Sequence, residues 1–398
     1  MRVGLWISVG AALALVGWLA ARSCGHVVPA AFAPNHGGVD LDLRRLAAQC
    51  PQGLAPRPTA EEGGADEVVV RYLGAGGLYL EWRGKAVLTA PFFSDYSAWQ
   101  VQFGLLAPDE RRIARGLAGL DLAKVSAILV GHSHYDHLGD LPWIVERHFL
   151  DRGIPAPTVL VNRSGALALA AYPDLRVQVY ERRSGPWITL AEENGRPLIR
   201  AWPLPSRHAP HFDHVLLYAG ELTAPWRDGF ETHHPSALLE GGTTNFLIDF
   251  LDQRGAVAYR MFFQDAASGR GETELPAAGA IDPHPVDLAV LCMASYAFVD
   301  DAPGWLVGEL RPRHVLVAHW EDFFRGQERA PRFVAFLSDR AVAEYFRRLR
   351  DALAALPAAP ADRSAAMPRN AARLCGATAP GWTLPLPGEW LEFATIRP

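Results

Sequence analysis

The sequence predicts an α/β fold in which buried strands carry polar residues at their carboxyl ends. Three observations support this class. Short strands joined by glycine turns open the predicted domain, short apolar runs then alternate with helical patterns, and several of these runs end directly in histidine or aspartate. Such alternation is typical of parallel sheets, and the carboxyl ends of parallel strands usually hold the chemistry.

The composition of the chain limits its partners. Of 398 residues, 49% are hydrophobic, which is enough for a large core. The formal net charge is −5, and the sequence contains no basic block. Because contacts to a phosphate backbone need clustered Lys and Arg, nucleic acid is disfavoured as the principal substrate. We therefore expect a small-molecule or lipid substrate.

The first residues predict a segment that is not part of the folded domain. Residues 1–24 are interpreted as a signal peptide or membrane anchor, because Arg2 flanks an apolar run at 5–21. This run is slightly shorter than the roughly 20 residues of a membrane span. The sequence around Cys24 is similar to a bacterial lipoprotein cleavage box, from which Arg22 departs. We expect export, with a periplasmic or membrane-anchored location, and lipidation of Cys24 stays open.

The next segment and the cysteines fit an exported protein. Residues 25–65 are rich in Pro, Gly and Ala and are interpreted as a tether. Cys50 and Cys375 flank the predicted domain and could pair in an oxidising compartment. Cys292 lies in an apolar run and is predicted to be a buried free thiol. The sequence has no CxxC pair, so a cysteine zinc knuckle is excluded.

The elements of the predicted domain begin with three short strands. Alternating apolar residues and glycine turns predict strands at 67–73, 78–82 and 86–89. The segment 91–107 that follows is aromatic and has two interpretations, packing on the core or an apolar wall for an acyl or lipid-like substrate. Its aromatic residues are Phe92, Phe93, Tyr96, Trp99 and Phe103. A helix near 109–119 then leads to a buried strand at 125–130.

A cluster of metal-ligand residues follows this buried strand directly. Four such residues stand in the six positions 132–137, and they are His132, His134, Asp136 and His137. Imidazoles are the usual ligands of zinc, and a carboxylate suits a divalent ion. A tight loop can turn His132 and His134 toward one ion while Asp136 and His137 face a second. The sequence therefore predicts a metal site at the end of this strand.

The pattern resembles the HxHxDH signature of the metallo-β-lactamase fold hydrolases. The resemblance implies an αββα sandwich over residues 66–350, followed by an irregular C-terminal extension at 351–398. Within the superfamily, the details look most like the branch of the N-acylphosphatidylethanolamine-type phospholipase D and the ascorbate-lactone hydrolases. Members near this branch often carry Thr-Asp-Pro after the third strand, whereas this chain has Ala90 in the middle position. Support for the metal site must then come from elsewhere.

The resemblance also implies the remaining ligands, each placed after an apolar strand. His208 is the first choice for a third histidine on one metal, with His211 the second choice and His214 the third. Asp265 is expected to bridge two metals, and His319 to complete the second metal. The residues between the third histidine and Asp265 include a long segment, 209–241, which is interpreted either as a lid over the site or as a surface hairpin.

The function implied is hydrolysis with two divalent metal ions, most simply zinc, with manganese or iron as alternatives. A hydroxide bound by both metals would attack an ester or phosphodiester, lipid-derived by the resemblance, with Asp136 and Asp265 as the catalytic carboxylates. The first alternative is a lactonase or amidase of the same fold, acting on a small soluble substrate. The second is a non-catalytic envelope protein. The sequence does not indicate the substrate or the oligomeric state.

Overall fold

The computed structural model describes residues 67–357 and 366–395 of the chain. The predicted signal or anchor segment (1–24) and the predicted tether (25–65) lie outside these residues, as do Cys24 and Cys50. In the described part, two large β-sheets share one hydrophobic core, and helices accompany both. The predicted fold class, an αββα sandwich of the metallo-β-lactamase type, is confirmed.

The first sheet has seven strands in the order β15-β1-β2-β3-β4-β5-β6. β1, β2 and β3 form the antiparallel meander that the sequence predicts, and β3 to β6 run parallel. The strands are β1 (Glu67–Gly74), β2 (Gly77–Trp82), β3 (Lys85–Thr89), β4 (Val125–Leu129), β5 (Thr158–Val161), β6 (Arg176–Val179) and β15 (Trp390–Ala394). β4 is the strand that delivers the histidine-rich motif.

The second sheet has eight strands in the order β13-β14-β12-β11-β10-β9-β8-β7. β7 to β10 are antiparallel neighbours, whereas β10, β11, β12 and β14 run parallel. The strands are β7 (Ile188–Glu193), β8 (Arg196–Pro205), β9 (Thr244–Leu251), β10 (Val257–Phe263), β11 (Leu288–Cys292), β12 (His314–Ala318), β13 (Ala377–Ala379) and β14 (Trp382–Leu384). The central strands β9 to β12 are almost wholly buried, which explains their apolar sequences.

Four of the α-helices in the described ranges begin after a residue whose side chain caps them. Asp109 accepts hydrogen bonds from two N–H groups of α2, Ser338 caps α7, and Ser97 forms a capping box with Gln100 at α1. The α-helices are α1 (Ala98–Phe103), α2 (Glu110–Leu117), α3 (Tyr135–Leu138), α4 (Leu141–Trp143), α5 (Arg163–Leu169), α6 (Gly304–Leu310) and α7 (Asp339–Ala355). A π-helical stretch, Ile144–Phe149, continues α4. None of the helices in the described ranges is long and apolar enough to span a membrane.

The C-terminal residues correct one prediction from the sequence. The extension at 351–398 was expected to be irregular, but residues 377–394 contribute strands to both sheets. β15 pairs antiparallel with β1, and β14 pairs parallel with β12. Trp390 and Phe393 are buried there. β1 lies more than 300 residues before β15, and β12 lies more than 60 residues before β14, so the Pro-rich local sequence indicates neither partner.

The cysteines agree with the prediction as far as the described residues reach. Cys292 is a buried free thiol in β11, and burial raises its pKa. Cys375 is disulfide-bonded. The Cys50 half of the predicted pair lies outside the described residues.

Candidate metal centre

The histidine-rich motif lies where the two sheets meet. β4 ends at Leu129, and the loop that follows leads into α3. The carbonyl oxygen of Gly131 accepts a hydrogen bond from the N–H of Thr244 at 2.9 Å, which joins the loop to the first residue of β9. A Cβ atom at position 131 would lie 2.5 Å from the side chain of Asp265. Glycine is therefore needed at this position, because the loop packs directly on Asp265.

Three further ligand-type residues come from the second sheet. His208 follows β8, Asp265 follows β10, and His319 follows β12. β10 and β12 are parallel to the strand β11 between them, so their carboxyl ends lie at one edge of the sheet. This edge faces the loop after β4. The placement that the sequence suggested for these three residues therefore brings them to the motif.

Seven side chains form three overlapping groups that could each hold a metal ion. The ligand atoms in each group lie within 4.8 Å of one another. The groups are His132, His134 and His208; His132, His137 and Asp265; and Asp136, His137 and His319. Two residues, His132 and His137, each belong to two groups. The structure thus brings together all seven residues that the sequence proposed as ligands.

The distances place Asp265 between the motif histidines. One of its carboxylate oxygens lies 2.5 Å from Nδ1 of His132, and the other lies 3.3 Å from Nδ1 of His137. Asp136 lies on the other side of His137, with Oδ2 at 3.3 Å from Nε2 of His319. Each carboxylate therefore has two imidazoles beside it.

Several of these buried polar atoms have no hydrogen-bond partner in the described part of the chain. They are Nε2 of His134, both ring nitrogens of His137, Oδ1 of Asp265 and Nδ1 of His319. A buried polar atom without a partner costs on the order of 1–3 kcal/mol, so such atoms need an explanation. A bound divalent ion would satisfy them, and nitrogen and carboxylate donors are the set that zinc, manganese and iron accept. The residues fit a metal centre.

The charges in the centre favour ionised carboxylates at Asp265 and Asp136 and a neutral ring at His132. Burial acts to raise the pKa of Asp265, but His137 and His132 outweigh it and the pKa is lowered. Asp136 behaves in the same way, with His137 and His319 lowering its pKa well below the usual value. Burial and the neighbouring His137 lower the pKa of His132 to about 4. Metal ligands need these protonation states. At His137, burial lowers the pKa, but Asp265 and Asp136 outweigh it and the pKa is raised, so binding a metal there would release a proton.

Hydrogen bonds distinguish the three candidates for the third histidine. Nδ1 of His208 lies 2.6 Å from the carbonyl oxygen of Ala209. A carbonyl oxygen only accepts, so Nδ1 carries the proton and Nε2 is left free to bind a metal. Nδ1 of His211 instead accepts the N–H of Leu217 at 3.2 Å, so its proton is on Nε2. His214 is almost fully exposed and contacts Asp213.

His211 nevertheless lies against the centre. Its ring stacks on that of His208 at 4.9 Å and lies 5.6 Å from the ring of His134. Burial and the nearby His208 lower the pKa of His211 to about 3, so the ring is neutral. The geometry therefore agrees with the choice of His208 as ligand and leaves His211 as a neutral donor beside it.

Three supporting residues were not identified from the sequence. His319 has a φ of 52°, in the left-handed region that is costly for a side chain other than glycine. Its N–H donates to the hydroxyl of Tyr72 at 2.9 Å, and that hydroxyl donates to Glu321. Asn245 accepts the N–H of Asp265 at 3.0 Å. In the sequence, Asn245 stands out as a polar residue near the start of an apolar strand. Nothing in the sequence marks Tyr72 or Glu321 as supporting residues.

These contacts support the metal centre in a chain that has Ala90 where members near the resembled branch often carry an aspartate. No carboxylate stands at position 90, and Thr89 bonds only to backbone groups of Gly76 and Leu78 in the hydrogen bonds described. A Cβ on Gly76 would lie 2.6 Å from Cε1 of His137, so glycine there lets the turn pack on the imidazole. Support for the centre comes from Tyr72, Glu321 and Asn245 and from close backbone packing.

A cavity lined by aromatic side chains adjoins the centre. We name it the aromatic cavity and define it by Tyr135, Tyr218, Phe323, Phe324, Phe336 and His211. Its volume is about 60 Å³, and His134 and Asp136 also line it. Of the segment at 91–107, Ala98, Val101 and Gln102 reach the cavity, but the aromatic residues that were considered as a wall do not. Phe92, Phe93 and Tyr96 are buried, and Trp99 and Phe103 are exposed.

The segment 209–241 divides into two parts. Residues near its start, including Phe212 and Tyr218, line the aromatic cavity and so cover the centre. Farther along, the ring of Phe230 meets that of Tyr172 edge to face at 5.4 Å, and the N–H of Trp226 donates to the carbonyl oxygen of Leu167 at 2.9 Å. The first part agrees with the interpretation as a cover over the site, and the second part packs on the domain.

A second, larger cavity lies next to the segment after His319. We name it the charged cavity and define it by Asp95, Glu321, Asp322, Arg325, Glu328 and Arg332. Its volume is about 390 Å³. None of the seven ligand-type residues lines it.

The sequence comparison agrees with the fold and the motif. Residues 104–224 match the family described as the metallo-beta-lactamase superfamily. This range includes the motif at 132–137 and His208. Over these residues the chain is similar to a metallo-beta-lactamase superfamily domain. Asp265 and His319 lie beyond the matched residues, and the structure brings them to the same centre. No curated protein matches the sequence.

The solved structures to which this chain is similar include three proteins of different kinds. The isothiocyanate hydrolase from Delia radicum gut bacteria is 13% identical, with a TM-score of 0.44; the match covers 82% of this chain and 99% of that one. A possible metal-dependent hydrolase from Veillonella parvula is 12% identical, with a TM-score of 0.43 and coverage of 83% and 99%. CmlA, a diiron beta-hydroxylase from Streptomyces venezuelae, is 17% identical, with a TM-score of 0.42 and coverage of 78% and 56%.

Proposed function

We propose that this protein is a hydrolase that depends on two divalent metal ions. His132, His134 and His208 would hold one ion, and Asp136, His137 and His319 the other, with Asp265 between them. The observation that carries the proposal is the set of three overlapping ligand groups whose buried nitrogen and oxygen atoms lack partners. Zinc is the metal we propose, with manganese or iron as alternatives.

The two ions and the residues of this chain would contribute different parts of the reaction. When bound, two divalent ions lower the pKa of a water molecule between them and neutralise charge that develops on an attacked ester. The residues of this chain position and protect that reaction. Asp136 belongs both to the centre and to the wall of the aromatic cavity, so its carboxylate can orient the water and take its proton. Asp265 is fully buried and keeps its negative charge between the two imidazoles.

The substrate we propose is an ester or phosphodiester. The resemblance to the N-acylphosphatidylethanolamine-type phospholipase D and ascorbate-lactone hydrolase branch supports a lipid-derived substrate. A specific observation favours a second candidate, a lactonase or amidase acting on a small soluble molecule. The aromatic cavity of about 60 Å³ is compact, with room for a few waters at roughly 10–15 Å³ each, rather than for a long acyl chain.

We also propose that the protein is exported and associates with the membrane through its N-terminal segment. The support is the apolar run at 5–21 behind Arg2, which lies outside the described residues. Fractionation of cells that express the full chain, beside a chain that lacks residues 1–24, tests this. The full chain should be found in the periplasm or membrane and the shortened chain in the cytoplasm. Equal distribution of the two would contradict the proposal.

Metal content is the decisive measurement for the proposed function. The full-length chain would be purified in mild detergent and its bound metals measured by plasma mass spectrometry, beside His134→Ala and Asp265→Ala variants. We expect about two ions per chain in the wild type, because the two proposed ligand sets lie on either side of Asp265. Both variants should bind less metal. His214→Ala is the matched control, and its metal content should equal that of the wild type.

The other outcomes are equally informative. One ion per chain would keep a hydrolase but remove the bridging role of Asp265. If no form of the protein binds metal, even after reconstitution, the proposed mechanism is wrong. The alternative, a non-catalytic envelope protein, is then favoured. If two ions are found, a screen of p-nitrophenyl esters, bis-p-nitrophenyl phosphate and lactones separates the two candidate substrates.

A further inference from the structure

The aromatic cavity touches both proposed metal positions through ring contacts. The ring of Tyr218 lies 6.1 Å from that of His134, edge to face, and the ring of Phe323 lies 4.9 Å from that of His319. His134 belongs to one ligand group and His319 to another. A group that occupies this cavity is therefore next to the reacting centre.

The walls of the cavity hold their shape by packing on one another. Phe323 stacks on Phe324 at 4.7 Å and meets Phe336 edge to face at 6.5 Å. Tyr135 and Tyr218 lie 6.4 Å apart. Aromatic pairs at these distances are favourable and rigid, so the cavity is preformed rather than created by a ligand.

The charge of the lining excludes an anionic occupant. No Lys or Arg lines the cavity, and its one charged side chain is the carboxylate of Asp136. Burial raises the pKa of Tyr218 to about 12, so its phenol stays neutral. A negative group here would face Asp136 without a partner cation, which is costly in a buried place. An uncharged apolar group suits these walls.

His211 adds one fixed polar group to the apolar walls. Its Nδ1 is occupied by the N–H of Leu217, so the neutral ring carries its proton on Nε2. Binding a metal through Nε2 would move the proton to Nδ1, where it would oppose the Leu217 N–H. His208, three residues earlier, has the opposite tautomer. The two stacked rings therefore have different roles. His208 can bind a metal through Nε2, and His211 can donate a hydrogen bond from Nε2.

We propose that the aromatic cavity binds the uncharged acyl or aryl group of the substrate, and that Nε2–H of His211 donates a hydrogen bond to an oxygen on the hydrolysed centre. This inference rests on the proposed function and names its substrate class, a carbonyl or phosphoryl compound with one short apolar substituent. A donor beside a centre where negative charge develops is a common way to stabilise the transition state.

Two phosphonates test the apolar part of the proposal. Phenylphosphonate and methylphosphonate carry the same head group but differ in the apolar group. Their binding to the metal-loaded full-length chain would be measured by isothermal titration calorimetry. We expect phenylphosphonate to bind at least on the order of tenfold more tightly, because its ring leaves water for the cavity. Equal affinities would overturn the assignment of the cavity.

Matched phenylalanine variants test whether the preference for phenylphosphonate arises in the aromatic cavity. Phe324→Ala removes a wall of the cavity and should reduce the phenyl preference to less than about threefold, with metal content unchanged. Phe333→Ala is the control, because Phe333 is also half-buried but packs on Trp320 outside the cavity. It should keep the full preference. A preference lost in both variants, or in neither, would contradict the assignment.

Matched histidine variants test the donor. His211→Phe keeps a ring of similar shape but has no N–H, and it should weaken both phosphonates by about tenfold, the effect of one lost hydrogen bond to a charged group. Metal content should stay at the wild-type level, and His214→Phe should change neither quantity. Loss of metal in His211→Phe would make His211 a ligand and overturn its role as donor. Unchanged phosphonate affinity would overturn it too.

The two proposals fail in different ways. If the metal-loaded chain hydrolyses no ester but shows the phenyl preference and its loss in Phe324→Ala, the cavity proposal stands and the proposed function does not. If the chain hydrolyses esters and binds both phosphonates equally, the proposed function stands and the cavity proposal is wrong.

Discussion

The aromatic cavity and the charged cavity both receive residues from the segment after His319. Phe323 and Phe324 line the first, whereas Glu321, Asp322 and Arg325 line the second. The aromatic cavity is small, about 60 Å³, and adjoins atoms that lack partners. The charged cavity is larger, about 390 Å³, and no proposed ligand lines it. Of these two cavities, the smaller and less charged one adjoins the proposed ligands.

The difference lies in which polar groups are already satisfied. In the charged cavity, Asp322 is paired with Arg332, Glu328 with Arg112 at 2.9 Å, and Glu321 accepts hydrogen bonds from Tyr72 and Ala75. Those contacts stabilise the fold. Beside the aromatic cavity, the imidazoles and carboxylates contact mainly one another, and five of their nitrogen and oxygen atoms have no hydrogen-bond partner among the described residues. Among the described residues, the charged cavity has one such unpartnered buried atom, Nε of Arg325, so it is the concentration of unsatisfied buried atoms that marks the site.

The most direct test of the roles assigned to the two cavities is to fill each cavity with one large side chain. Leu217→Trp places an indole at the wall of the aromatic cavity and should lower kcat/KM for p-nitrophenyl butyrate by roughly 100-fold, because the substrate loses its place beside the centre. Steady-state kinetics of the metal-loaded chain measure this.

The control for that substitution lies in the other cavity. Ala330→Trp introduces the same side chain at an exposed position that lines the charged cavity, and kcat/KM should stay within about twofold of the wild type. A large loss of activity in Ala330→Trp, with Leu217→Trp unaffected, would reverse the roles assigned to the two cavities.

The link between the cavities is tested at Tyr72, which joins Glu321 to the backbone of His319. Tyr72→Phe leaves the His319 N–H without its acceptor and should lower the free energy of unfolding by about 1–3 kcal/mol. It should also weaken metal binding by roughly 10-fold or more, the effect of lost support around a ligand. Urea unfolding and competition with a chelator measure the two effects.

Tyr345 provides a matched control for this substitution. It is also fully buried, but its hydroxyl has no hydrogen-bond partner among the described residues. Tyr345→Phe should therefore change the free energy of unfolding by less than about 1 kcal/mol and leave metal binding unchanged. Equal effects of the two substitutions would show that the Tyr72 hydroxyl does not support His319.

The smallest expected effect concerns Asp95, a buried carboxyl group that lines the charged cavity. Burial, together with the negative charges of Glu321 and Asp140, raises the pKa of Asp95 from 3.8 to about 9, although Arg112 opposes this. The folded state therefore binds the proton more tightly than the unfolded state. The stability from this group is fully present below pH 3.8 and is lost as the pH rises toward about 9.

Asp95→Asn should remove this dependence, because the amide is neutral at every pH. The Tm of the variant should exceed that of the wild type at pH 8.5 by a few degrees, at roughly 1–2 °C per kcal/mol for a chain of this size, and by less at pH 5. Thermal unfolding followed by circular dichroism at the two pH values measures the difference. A Tm difference that shrinks as the pH rises would contradict the assignment.

Much of the fold could be predicted because the local sequence carries it. The meander at β1 to β3, the buried strand β4 and the helix α7 all have periodic apolar patterns and turn or cap residues of their own. The strands β13, β14 and β15 could not be predicted in the same way. They are short, and the partners that make them strands, β12 and β1, are distant in the sequence. Strand formation there depends on the sheet edges that they cover.

The sequence by itself determined the class of chemistry: four ligand-type residues in six positions, and three more after apolar strands, are enough to indicate a metal centre. The tertiary structure decided how these residues are used. A tautomer depends on which backbone group faces each ring nitrogen, and this separates His208 from His211. The support of His319 by Tyr72 and Glu321, and the aromatic cavity beside it, depend on contacts between distant segments. Such contacts leave no periodic or local pattern, because each partner satisfies the other only after the chain has folded.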